Sequence, residues 1–414
     1  MTCIIPYGID SSVDLGLAPP ALLGVSDLPR GEPLADPAAE LAAALAGPLG
    51  FPPLAKAIVP GDRIVVAWDS SAPQAGVLLA ALVEYLIESG ADAGNLTVLG
   101  TQTDSDADSE DPRDCLPETW REQVALEIHD PAAKAQLGLL GSSHEGRPIY
   151  LNRTLLDADL VVPLGCLRAG ETLGYHGRHG GLFPAFADQK TLERYRKPRS
   201  GAARHEVDQR HRQEIDEIGW LLGTQFTVQV VPGAGDSLLA VLAGHPTEVF
   251  EQGQRLFEAA WSVRLARKAS LVVAAVSGRA GLQTWENLAR ALASAGRAVA
   301  EGGAIALCTE LEAAPGPAVA GLGQTDDWPA VLRRIRRDCP ADALVAAEFI
   351  EICGRARVYL LSRLEETTVE ELGLAPVASV SDLKRLAGRH ESCIVLANAQ
   401  YVRVTIDEDQ PADA

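Results

Sequence analysis

None of the seven cysteines (Cys3, Cys115, Cys166, Cys308, Cys339, Cys353 and Cys393) forms a CxxC pair, and the total is odd. This removes a zinc knuckle and a disulfide framework, and fits a reducing compartment. No run of about 18 apolar residues escapes charge, Gly and Pro, which leaves no membrane-spanning candidate. The opening Met-Thr-Cys-Ile-Ile-Pro lacks the basic start and long apolar run of a secretory signal. The expected location is cytoplasmic. A basic surface is also missing, because 36 Lys and Arg stand against 56 Asp and Glu, a formal net charge of -20. Phosphate neutralisation needs clustered cations, so neither nucleic acid nor a membrane is an expected partner. The one basic cluster, Arg333-Arg334-Ile335-Arg336-Arg337, reads as a solvated helix face. The acidic stretch from Thr103 to Pro117 lacks the spacing and closing glutamate of a calcium loop, and reads as solvated surface.

What is present is an ordinary globular composition, 414 residues with 47% hydrophobic and 22% charged, long enough for two or three domains. Asp36-Pro37 supplies a cap and first-turn proline for a helix that Gly47-Pro48 ends. The run Arg63 to Trp68 then reads as a strand, Gln74 to Ser89 as a helix and Leu96 to Gly100 as a strand. This is a βαβ unit, which builds a parallel sheet. Further strands are expected at Ala158–Gly165, Phe226–Val231, Leu238–Gly244, Ser270–Val276, Ala304–Cys308, Arg357–Leu361 and Cys393–Ala397. Lys190 to Asp216 reads as a basic helical stretch, and a helix from about Pro246 to Leu265 closes the first half. The fold class is α/β: two α/β domains, 1–267 and 268–414, with mainly parallel sheets and a cleft between them.

Ligands of such sheets bind at the carboxyl ends of the strands. Asp69, the turn Gly100-Thr101-Gln102-Thr103 and the loop after Gly165 therefore occupy candidate site positions. That loop holds Gly174-Tyr175-His176-Gly177-Arg178-His179-Gly180-Gly181, where glycines admit a ligand close to the backbone and histidines can move protons. His176 and His179 could also ligate a metal with Cys166 or Asp69. No third ligand is defined, so no metal site is assigned.

Several segments resemble the nickel-dependent lactate racemase family, the LarA-like proteins. They include Val59-Pro60-Gly61-Asp62-Arg63-Ile64-Val65-Val66, Trp68-Asp69-Ser70-Ser71-Ala72-Pro73, Leu99-Gly100-Thr101-Gln102, Gly146-Arg147-Pro148-Ile149-Tyr150 and Glu370-Glu371-Leu372-Gly373-Leu374-Ala375-Pro376. The resemblance implies racemisation of a 2-hydroxy acid by a nickel-pincer nucleotide tethered through a lysine, with a proton-transferring group on each side and a cation for the carboxylate. It matches the family's aspartate with Asp69, but puts Ala72 at the following arginine, Gln102 at the first catalytic histidine and Gly170 near the second. Gly180 falls near the tethering lysine and Arg196 near the nickel-ligating histidine, and no lysine lies between Lys134 and Lys190. Asn287 and Arg290 match a Gln and a Lys three apart. A glutamine is no base near neutral pH. The family cofactor is thus doubtful here, and no other cofactor is identified.

Two functions remain open. One is a racemase- or epimerase-type enzyme with altered chemistry on a small carboxylic acid, using His176, His179, Gln102 and Asp69 catalytically and Asn287, Arg290 and Arg178 for binding. The other is a catalytically silent protein that binds a small acid or a nucleotide. His144 reads as part of a solvated hairpin turn, His245 as a helix start, and His205 and His211 as solvent-exposed.

Overall fold

The computed structural model describes residues 4–101, 111–169, 173–174, 177–199, 202–325 and 327–407. It begins with a hairpin, β1 (Ile4–Tyr7) and β2 (Ser11–Asp14), and the strand β3 (Leu22–Ser26). The helix Pro37–Ala46 is capped as its sequence requires, with the Asp36 carboxylate accepting from Ala39 N. There follow β4 (Ile64–Trp68), β5 (Leu96–Gly100), β6 (Ala125–Ile128), the hairpin β7 (Leu137–Ser142) with β8 (Pro148–Asn152), β9 (Leu160–Cys166), β10 (Thr227–Pro232) and β11 (Leu238–Gly244). Six of these form one sheet in the order β11-β10-β9-β4-β5-β6. All its neighbours are parallel except the β10/β11 hairpin. Every residue of β4 is buried, as an unbroken apolar strand must be when both faces of its sheet are covered.

The second half adds β12 (Ser262–Leu265), β13 (Ala269–Ala275), β14 (Val299–Cys308), β15 (Arg357–Leu361), β16 (Ala375–Pro376), β17 (Cys393–Leu396) and β18 (Arg403–Ile406). The second sheet has the order β16-β15-β14-β13-β17-β3 and is parallel throughout. β3 comes from the start of the chain, so this sheet draws on residues before and after the first one. The remaining pair, β12 with β18, is parallel and stands apart from both sheets.

Three local readings are corrected. The helix expected to reach Leu265 ends at Trp261, and Ser262–Leu265 is β12, where Val263 faces Val404 of a strand from the far end of the chain. The stretch Lys190 to Asp216 lies in two helices, Gln189–Arg196 and Ala202–Leu221, with Pro198 between them in the sequence. His211 is not exposed: it is 5% accessible, and its ring stacks on Tyr195 at 4.0 Å.

Each six-stranded sheet has one position at which the chain reverses its direction of winding. In the first it lies between β4 and β9, and in the second between β13 and β17. Crevices open at the carboxyl ends of strands at such points. Here the two crevices face each other. The Gly235 N–H, in the β10/β11 turn, donates to Asn398 Oδ1 beyond β17 at 2.8 Å, and Arg279, beyond β13, reaches the loop beyond β4.

Candidate functional site

Asp69 follows β4 and Arg168 follows β9, which places them side by side at the first switch point. Arg168 Nη1 is 3.2 Å from Asp69 Oδ2 and Nη2 donates to the Ser71 hydroxyl, while Ser71 donates both its N–H and its hydroxyl to Asp69 Oδ1. Burial alone would raise the Asp69 carboxyl. The Arg168 guanidinium and the Ser71 bonds outweigh it and hold the group below the usual carboxylate range. Asp69 is therefore a fixed anion. Arg168 is only 11% exposed, and burial works against its charge until Asp69 reverses the balance and raises its pKa.

Arg290 arrives from across the seam, from the unit built on the second sheet as opposed to the unit built on the first, on the helix Trp285–Ala298. Asn287, one turn earlier, accepts from Arg290 Nη1 at 2.7 Å and donates to the Leu282 carbonyl at 2.9 Å, so the sequence spacing does place the two on one helix face. Asn287 is 3% exposed and orients the arginine. Arg290 Nη2 reaches the Leu173 carbonyl of the first unit at 3.5 Å, and its Nε is buried without a hydrogen-bond partner. Burial, and then the neighbouring Arg168 charge, lower the Arg290 pKa to about 10. Arg168 is thus paired with Asp69, whereas Arg290 forms no ion pair among the described residues and feels the carboxylates of Glu286 and Asp69 only at a distance.

The seam is polar beyond this pair. Trp68 Nε1, Asn398 Nδ2 and Gln400 Oε1 are also buried without partners, at the carboxyl ends of β4 and β17. Tyr401 is 3% exposed, and its hydroxyl lies within electrostatic reach of Arg168, Arg290 and Cys166. Burial raises the Tyr401 pKa and takes the Cys166 thiol to about 12, which keeps both neutral.

The glycine-rich loop is organised differently. Its second half is anchored by Leu182, Phe183 and Phe186, each at most 1% exposed and packed on the first unit. His179 is 9% exposed, and its ring lies so close to Gly219 that a Cβ there would be 2.3 Å from Cγ. Burial, followed by the charges of Arg178 and His245, lowers the His179 pKa to about 4. Arg178 pairs with Asp216 at 3.3 Å and donates to the Thr247 hydroxyl at 3.0 Å. Neither His179 nor Arg178 hydrogen-bonds to Asp69, Arg168 or Arg290 among the described residues. Gln102, Gly170 and His176 lie outside the described residues.

The structure thus brings Asp69, Asn287 and Arg290 to one seam and engages Arg178 elsewhere. Arg168, Ser71 and Tyr401 were missed in the sequence. The signal available for Arg168 was its place just beyond the second strand of the switch point. Among the described residues no three His, Cys, Asp or Glu side chains are grouped to hold a metal, and no helix is long and apolar enough to cross a membrane.

Residues 7–200 match the lactate racemase N-terminal domain family. The structure of the lactate racemase apoprotein from Thermoanaerobacterium thermosaccharolyticum superposes with a TM-score of 0.79 at 17% identity, over 98% of this chain and 100% of that one. A protein from Thermotoga maritima superposes with a TM-score of 0.64 at 14% identity, over 91% of this chain and 99% of that one. No curated protein matches the chain in sequence. The mixed α/β fold and the resemblance read from the sequence are both borne out.

Proposed function

We propose that this chain, a divergent member of the lactate racemase family with that family's N-terminal domain in residues 7–200, takes a small 2-hydroxy or 2-keto acid into the seam between its sheets. Arg168 and Arg290 bind the carboxylate, and any chemistry on the acid differs from nickel-pincer hydride transfer. The observation that carries this reading is Arg290, a guanidinium beside Arg168 that forms no ion pair among the described residues and whose Nε is buried without a partner. An incoming carboxylate balances that charge through charge-assisted hydrogen bonds. Its source differs from the family pattern, because Ala72 stands where the loop arginine would be and Arg168 enters the same loop from β9.

The described residues do not fit the family cofactor. Gly180, where the resemblance puts the tether, has no side chain, and the next lysines, Lys190 and Lys197, are exposed. Arg196, at the nickel-ligand position, has five donors and no acceptor with which to bind a metal. A silent acid-binding protein is the second reading, favoured by the state of the two described groups with acid-base chemistry. Asp69 is locked as an anion by Arg168, and His179 is enclosed and neutral against Gly219. Elemental analysis and intact mass of protein co-expressed with the pincer-synthesis enzymes test the proposal. A nickel-free, unmodified chain is the expected result. Stoichiometric nickel or an added nucleotide mass would restore the family chemistry and overturn it.

A further inference from the structure

We infer that Arg279 is a positioning residue that couples contact between the two units to the shape of the Asp69–Ser71 turn, and so regulates the anion site; the regulatory part rests on the acid-binding reading above. Arg279 belongs to the second unit, just beyond β13. Its Nη2 donates to the carbonyls of Ser70 at 2.6 Å and Ala72 at 3.1 Å in the loop beyond β4. Its Nε lies 3.3 Å from Asp236 Oδ1 in the β10/β11 turn. The same carboxylate oxygen accepts from Gln74 N at 3.1 Å, where Gln74 adopts the left-handed region at φ 51° to start the helix Ala75–Glu88. The Gly235–Asn398 bond ties the neighbouring residue of that turn to the second unit as well.

The turn is therefore gripped from two directions by alternate residues. Arg168, from its own unit, holds the side chains of Asp69 and Ser71, whereas Arg279, from the other unit, holds the main-chain carbonyls of Ser70 and Ala72. Separating the units withdraws the second grip and leaves the first. The Asp69–Arg168 geometry, which fixes how much of the Arg168 guanidinium faces a ligand, is then held by both grips only when the units are in contact. Arg279 Nε is buried and makes no hydrogen bond to Asp236, so that contact is an ion pair alone, while the rest of both side chains is more than a third exposed and the clasp can open and re-form.

The test compares hydrogen exchange at residues 69–75 in ligand-free wild type, Arg279→Ala and Arg279→Lys, with calorimetric titration of each by L-lactate and pyruvate. Arg279→Ala is expected to speed exchange at Ser71 and Gln74 about tenfold, with β4 unchanged. Lysine, which can reach one carbonyl, is expected to restore part of the protection, and acid affinity is expected to fall about tenfold in the alanine variant. Wild-type exchange across 69–75 in Arg279→Ala would overturn the inference. If wild type binds neither acid while the alanine variant still exchanges faster, the clasp stands and the acid-binding reading falls. Should Arg279→Ala not fold, Asp236→Asn removes the ion pair but also alters the acceptor of the Gln74 N–H, so the readout is Ser71, which Asp236 does not touch; faster exchange there is expected, and an unchanged rate would contradict the clasp.

Discussion

Arg168 and Asp69, 99 residues apart in the chain, meet at 3.2 Å where β9 and β4 run side by side. The pair fixes one wall of the candidate site and leaves Arg290, from the opposite unit, as the cation without an ion pair among the described residues.

Removing the cation from this pair isolates a partly buried carboxylate. Arg168→Met is expected to destabilise the protein by roughly 2–3 kcal/mol, below the cost for a fully buried pair because Asp69 is 27% exposed. Asp69 has a depressed folded pKa, so its contribution is present above the unfolded carboxylate pKa and lost as pH falls through the folded one. In the variant only the Ser71 bonds still oppose burial, and most of that contribution disappears. Urea unfolding at pH 7 and pH 3 checks both parts: the gap between the two proteins should narrow at the lower pH.

Arg290→Ala is expected to weaken binding of a small 2-hydroxy or 2-keto acid by about 2 kcal/mol, roughly thirtyfold. In the free protein the Arg290 pKa is about 10, and a bound carboxylate raises it. Affinity should therefore be level below pH 10 and fall above it, because deprotonated Arg290 must regain a proton to bind. Calorimetry between pH 8 and pH 10.5 reads this directly; a level profile in that range would show that Arg290 keeps its charge there, and unchanged affinity in Arg290→Ala at pH 8 would remove it from the site.

Burial of His179 predicts an acid-side loss of stability. Its folded pKa of about 4 lies below the ordinary histidine value of 6.5, so the unfolded chain binds the extra proton first. Stability is retained above pH 6.5 and declines toward pH 4, by up to about 3 kcal/mol from this group. His179→Gln should flatten the slope in that window, as measured by urea unfolding at pH 7 and pH 4.5.

Gly219 has little room to change. A methyl group there would lie 2.3 Å from His179 Cγ and 2.5 Å from Cδ2, so Gly219→Ala must displace the imidazole and the loop that carries it. The expected cost is about 1–3 kcal/mol, read from the thermal midpoint. The double variant His179→Ala, Gly219→Ala should recover part of it, since the clash partner is gone.

The sheets were legible in the sequence because their strands are short apolar runs bounded by Gly, Pro and Asp, as at Pro60-Gly61-Asp62 before β4 and Asp69 after it. Residues 4–26 gave no such sign: β3 is only partly buried, and it joins the second sheet beside β17, more than 360 positions away. Asn287 and Arg290 were legible as a pair because helix spacing alone brings them together. Arg168 was not, because its importance lies in a partner supplied by another strand of a parallel sheet. His211 misled in the opposite way, since a charge-rich stretch hides the one face that meets Tyr195. His179 was placed in the correct loop, but no local pattern reveals that its ring packs under Gly219.

The central claim is that the seam between the two units binds a carboxylate through the guanidinium groups of Arg168 and Arg290. Isothermal titration of the wild-type protein with L-lactate and with lactamide, which keeps the shape and removes the charge, tests it most directly. Saturable binding of lactate and none of lactamide is the predicted result. Equal binding of both, or of neither, would contradict it.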